Sequence, residues 1–139
     1  GESLIDLTGG FGVDDFYFAK QFTSVTHCEI NSDLSAIVKH NFEQLGVTNI
    51  DCIPGDSQAT LETLSTKWDW MYIDPSRRND AKGKVFMLKD CLPNVPENLD
   101  FYFNKLEIVN APHLRFCLSS PHKRKRVPKA RPRQSVVTP

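Results

Sequence analysis

Residues 4–15 read LIDLTGGFGVDD, an apolar run that passes through Asp6 into three glycines and then two acids. A short strand that ends in a glycine-rich turn and restarts as a helix brings backbone N–H groups close to a ligand. The pattern predicts a first strand over 3–7 and a helix over 13–22. Asp14 and Asp15 stand in its first turn, where a helix N-terminus favours acids.

Outward from this stretch the chain keeps alternating. Residues 24–30 (SVTHCEI) are rich in β-branched side chains and predict a second strand. Residues 33–45 predict a helix with Leu34, Ile37, Val38, Phe42 and Leu45 on one face and Gly46 as its stop. A third strand over 49–53, a helix over 58–65 and a fourth strand over 68–73 follow, with Trp68 and Trp70 as packing residues. Strand–helix alternation with right-handed crossovers gives an α/β, doubly wound parallel sheet. The expected strand order is 3-2-1-4. Ligands of such sheets lie beyond the carboxyl ends of the strands, and Asp6, Glu29, Asp56 and Asp74 each stand at or just past one of those ends. Beyond Asp80 the pattern predicts helices over 84–92 and 97–103, and a fifth strand over either 106–109 or 114–118.

The composition fits one soluble domain of 139 residues, with no apolar run of membrane-spanning length and no basic-then-apolar opening segment. A cytoplasmic location is the default expectation. Four cysteines without C-x-x-C spacing read as reduced structural thiols, and no histidine has metal-ligand spacing. No metal is expected and no histidine is given a role. The overall neutrality conceals a split: residues 1–100 carry 8 Lys and Arg against 16 Asp and Glu, and residues 101–139 carry 9 against 1. Seven of those basic residues fall between Lys123 and Arg133 in a proline-punctuated stretch that reads as disordered.

A dinucleotide fingerprint requires a third glycine where this chain has Asp15, and carboxylates at the turn repel a pyrophosphate. A P-loop is excluded because no Gly-Lys-Ser/Thr follows. The turn suits a ligand without phosphate that carries positive charge. S-adenosylmethionine meets that description, with Gly9, Gly10 and Gly12 permitting close backbone approach. Glu29, 23 residues after Asp6, is placed to accept both ribose hydroxyls, and Asp56 to accept from the adenine amino group. Residues 74–78 (DPSRR) begin with a carboxylate and a proline carbonyl. These two acceptors are able to hold the hydrogens of an exocyclic amine while its lone pair faces a methyl donor. Well-oriented reactants gain roughly 7–11 kcal/mol from positioning.

The stretches DLTGGFGVD, EIN, GD and IDPSRR together resemble, in order and spacing, the class I methyltransferase module of the bacterial THUMP-like methyltransferases, relatives of the RNA cap guanine-N2 methyltransferases. The resemblance spans residues 2–104. It implies an incomplete Rossmann-like sheet of about four to five strands, S-adenosylmethionine as cofactor, and methylation of an exocyclic amino group of an RNA base. It implies that Asp6, Thr8, Gly9, Gly10, Phe11 and Gly12 form the first cofactor motif, Glu29 the ribose ligand and Asp56 the adenine ligand. Asp74 and Pro75 would be the catalytic pair, and Ser76, Arg77 and Arg78 would meet the acceptor. The amino-methylating families carry a stacking aromatic after this motif, and here Ser76 and Arg77 stand instead. An arginine stacks on bases or binds phosphate. The alternatives are a non-catalytic cofactor-binding fragment and, third, a nucleotide-dependent oxidoreductase.

Two features lead to the expectation of a piece of a longer protein: the chain starts at Gly1, and it is already in a strand by Ile5. Composition changes abruptly near Lys105, so residues 1–104 are expected to form a partial methyltransferase domain. Residues 105–139 are expected to be an atypical basic tail, disordered or non-native through a shifted frame or truncation.

Overall fold

The computed structural model describes residues 1–76, 78–79, 83–84, 87–107 and 113–116. Strands and helices alternate as β1 (Ser3–Asp6), α1 (Val13–Phe18), β2 (Ser24–Glu29), α2 (Ser32–Gln44), β3 (Ile50–Pro54), α3 (Ser57–Thr63) and β4 (Trp70–Ile73). A two-residue antiparallel pair, β5 (Arg78–Asn79) and β6 (Gly83–Lys84), comes next, then a 3-10 turn (Leu88–Asp90), α4 (Val95–Asn104) and β7 (His113–Phe116).

The main sheet runs β3-β2-β1-β4-β7, and every pairing in it is parallel. This is the expected 3-2-1-4 order extended by β7, which falls in the later of the two predicted fifth-strand segments. The chain is therefore an α/β protein with an open, Rossmann-like parallel sheet.

Strand alternation sorts the core into two layers. Ile5, Leu7, Cys28, Met71 and Ile73 face one side and pack with Leu61 of α3 and with Val95 and Tyr102 of α4. On the other side lie Leu4, Asp6, Val25 and His27, with Val38 and Phe42 of α2 also buried. Most of this apolar area is removed from water at about 25 cal/mol per Å², so the two layers hold the carboxyl ends of β1, β2 and β4 side by side.

Several expectations are corrected. Helix α1 stops at Phe18, because the amides of residues 20 and 21 bond i→i−3 and tighten the chain, which lets Phe22 meet Trp70 edge-on at 5.8 Å. The buried stripe of α2 is Ser35, Val38 and Phe42, while Ile37 and Leu45 are exposed. Of the expected face, Val38 and Phe42 are buried and Leu34 is half-buried, and Ser35 completes the stripe. The helix expected over 84–92 is absent; Lys84 lies in β6 and residues 88–90 form the 3-10 turn. Leu92 instead bridges to Ser76 in antiparallel fashion.

Nor does the core stop at residue 104. Leu106 is fully buried, and Lys105 and Glu107 both bond the backbone of Trp68. The basic stretch beyond Pro121 and the question of its origin lie outside the described residues.

Candidate cofactor and acceptor site

Beyond the carboxyl ends of β1, β2, β3 and β4 opens a cavity of about 510 Å³. That is within the range of sites for drug-sized ligands, about 300–1,000 Å³. Its wall includes Thr8, Gly10, Glu29, Asp56, Asp74 and Ser76, six residues singled out from sequence. Four strand ends in register bring them together.

The three glycines of the turn do different things. Gly9 has no room for a side chain, since a Cβ there would fall 2.1 Å from Nδ1 of His27. Gly12 has φ +71°, and a Cβ would meet Phe42 at 2.6 Å and Val38 at 2.7 Å. Only Gly10 faces open space: its φ is +54° and its nearest neighbour is the Thr8 carbonyl at 3.8 Å. The three glycines thus differ in what an added side chain would meet. Gly9 and Gly12 let the turn pack on β2 and α2, and Gly10 alone lines the cavity. Phe11 is 78% exposed and is not part of the cavity wall.

Glu29 ties the turn to β2. Its Oε2 accepts from the Gly10 N–H at 3.0 Å and its Oε1 from the Asn31 N–H at 2.8 Å. Each carboxylate oxygen retains a second acceptor position, which fits the two hydroxyls of a ribose. Asp56 caps α3, accepting from the Ala59 N–H at 2.9 Å through Oδ1, so Oδ2 is the acceptor left for a ligand. Ile30 is largely exposed and lines the same cavity with Ser57, Leu92 and Pro93. Sequence reasoning missed all four. Ile30 and Ser57 were within reach, standing next to Glu29 and Asp56. Leu92 and Pro93 arrive only through the Ser76–Leu92 pairing, which leaves no sequence signal.

Asp6 lies beneath the turn, almost wholly buried. Its Oδ1 accepts from both the N–H (2.7 Å) and the hydroxyl (3.1 Å) of Thr8. Burial, and then the charge of Asp15, push its carboxyl well above the usual range. Asp15 itself is fully buried against His27, so it does not face the ligand as the repulsion argument assumed. Of the two acids only Asp14 is exposed, and it accepts from the Tyr72 hydroxyl at 3.4 Å. Burial also favours the protonated form of two thiols, raising Cys28 to about 12 and Cys52 to about 11.

Past the end of β4, Asp74 is half-buried, Pro75 is buried and Ser76 is exposed. Ser76 exchanges backbone bonds with Leu92 at 2.8 and 3.3 Å. Arg77 lies outside the described residues, and of Arg78 only the backbone, in β5, is described. Among the described residues no cluster of His, Cys, Asp or Glu is arranged to hold a metal, and no helix is long and apolar enough to cross a membrane.

The profile of the RNA cap guanine-N2 methyltransferases matches residues 1–76, from β1 through Ser76. The chain belongs to that family. An uncharacterized RNA methyltransferase of Synechocystis is 27% identical over 100 residues, covering 72% of this chain and 21% of its own length. The chain thus spans about a fifth of the curated relative it matches. A candidate methyltransferase from Porphyromonas gingivalis W83 superposes with a TM-score of 0.60 and 27% identity, over 72% of this chain and 25% of that one. A further candidate methyltransferase, from Streptococcus mutans in complex with SAH, gives a TM-score of 0.58 over 78% of this chain and 58% of that one. At 16% identity that likeness speaks for the fold alone.

Proposed function

We propose that this chain is the cofactor-binding part of an S-adenosylmethionine-dependent methyltransferase that modifies an exocyclic amino group of an RNA base. One observation carries the reading: Gly10, Glu29 and Asp56 share a single cavity with Asp74 and Ser76. Ligand groups and acceptor groups are thereby within reach of one bound molecule. The open side of Gly10, the paired oxygens of Glu29 and the free Oδ2 of Asp56 fit the methionine backbone, ribose and adenine in turn. Exposed Ile30 offers an apolar face beside Glu29 for the adenine ring. Membership of an RNA-modifying family and the RNA methyltransferase relative support RNA as the acceptor class.

When bound, the cofactor supplies the electrophilic methyl group. The residues of this chain supply position. Asp74 and the Pro75 carbonyl accept the two hydrogens of the amine and aim its lone pair, a role in which near-attack geometry counts for most of the gain. Arg77 and Arg78 are offered as the residues that meet the RNA, by stacking or phosphate contact.

Thermal melting with S-adenosylmethionine, S-adenosylhomocysteine and NAD tests the reading. A hundredfold excess over Kd adds roughly 2.7 kcal/mol, a shift on the order of ten degrees. The first two ligands are expected to shift the melt and NAD is not; a melt that only NAD shifts would instead favour an oxidoreductase.

A further inference from the structure

The β1–β4 ladder ends in an unusual way. Leu7 N–H donates to the Tyr72 carbonyl at 3.1 Å, as the parallel register requires. The next donor along β4, the Asp74 N–H, goes instead to the side-chain hydroxyl of Thr8, at 2.8 Å. That hydroxyl in turn donates to Oδ1 of buried Asp6, at 3.1 Å. One hydroxyl therefore uses its donor on β1 and its acceptor on β4, across the point where the two strands part to form the cavity. Asp6 is anchored because it has no exposed surface to move into, and its Oδ1 also holds the Thr8 N–H.

We infer that Thr8 is a positioning residue, one that fixes Asp74 against the cofactor turn instead of holding the cofactor itself. The inference rests on the methyltransferase reading above. It assigns the threonine a role that neither glycine turn nor DPSRR motif suggests: it links the cofactor half of the site to the acceptor half. Without the hydroxyl, the Asp74 backbone loses that partner and the carboxylate shifts relative to the methyl donor. The glycine turn, held independently by Gly9 N–H to Cys28 carbonyl (2.9 Å) and Gly10 N–H to Glu29 (3.0 Å), stays in place.

The experiment needs no knowledge of the acceptor. Sinefungin carries an amine where the cofactor carries its methyl, whereas S-adenosylhomocysteine carries nothing there. Preference for sinefungin over S-adenosylhomocysteine, measured by calorimetry on the full 139-residue chain, reports where Asp74 stands. A charged hydrogen bond of this kind gives a preference of roughly tenfold or more. The expected result is that Thr8→Val and Asp74→Ala both abolish the preference while S-adenosylhomocysteine affinity stays within about twofold, and that Thr8→Ser keeps the preference. A Thr8→Val chain that retains the preference overturns the inference. So does one that loses S-adenosylhomocysteine affinity itself, which would make Thr8 a cofactor ligand. If the wild-type chain binds neither ligand, the methyltransferase reading fails first, and the inference with it.

Discussion

Nδ1 of His27 lies 2.6 Å from Oδ2 of Asp15, with both side chains fully buried. The pair joins β2 to the first turn of α1 directly under the glycine turn, and the His27 ring occupies the space a Gly9 side chain would need. Phe42 of α2 closes it edge-on at 6.3 Å. Asp15 Oδ1 and His27 Nε2 have no other partner among the described residues, so the pair is costly to split. Removing one member leaves a buried group uncompensated, at about 3–5 kcal/mol. Asp15→Ala and His27→Ala are each expected to lower stability by about that amount in denaturant titrations. The double variant should cost clearly less than the sum; simple additivity would mean that the two groups do not interact.

The glycines separate packing from binding. Gly9→Ala is expected to unseat the turn, because its Cβ collides with a ring that has no room to retreat. Melting temperature and S-adenosylhomocysteine affinity should fall together. Gly10→Ala meets nothing closer than 3.8 Å, but φ +54° costs an L-residue about 1–2 kcal/mol. Its expected signature is loss of ligand affinity out of proportion to the modest loss of stability. Equal behaviour of the two variants in melts and titrations would contradict the division of roles.

How much of this was legible in the sequence follows from range. The strand order and the register of Asp6, Glu29, Asp56 and Asp74 follow from local alternation and turn chemistry, and those four strand ends are where the sequence placed them. On α2 the apolar period finds the buried Val38 and Phe42 but also points to Ile37 and Leu45, which are exposed because burial there is decided by the sheet beneath. Asp15 looked like a helix-start acid facing a ligand; only the β1–β2 register, with Asp6 opposite His27, puts the histidine under it. The Ser76–Leu92 bridge joins residues with no shared periodicity, so Leu92 and Pro93 carried no signal.

Buried Asp6 makes stability depend on pH. Its folded value is raised above the ordinary 3.8, by burial first and the Asp15 charge second. The folded chain therefore holds a proton that the unfolded chain has already released. Its stabilising contribution is full below the ordinary value and is lost as pH rises through the raised one. Asp6→Asn keeps an acceptor for the Thr8 donors and removes the charge. Without ligand it is expected to melt several degrees higher than the wild type at pH 8, on the order of 1 kcal/mol. The advantage should shrink as pH falls towards 4. An advantage that grows on acidification would show that the carboxylate is stabilised in the fold.

In the proposed reaction, Asp74 is the residue on which the chemistry depends. Its side chain borders the cavity, and its backbone N–H is held by Thr8 at 2.8 Å, so truncation removes an acceptor without unfastening the strand end. Asp74→Ala is expected to leave S-adenosylhomocysteine binding within about twofold of wild type. Transfer of labelled methyl to total bacterial RNA should fall by roughly a hundredfold or more, the loss typical of removing one preorganised polar group from a reacting centre. The split matters more than the size. Loss of ligand affinity in step with rate would place Asp74 among the cofactor ligands and leave the acceptor amine without a partner on β4. Unchanged transfer would move the chemistry to residues after Ser76.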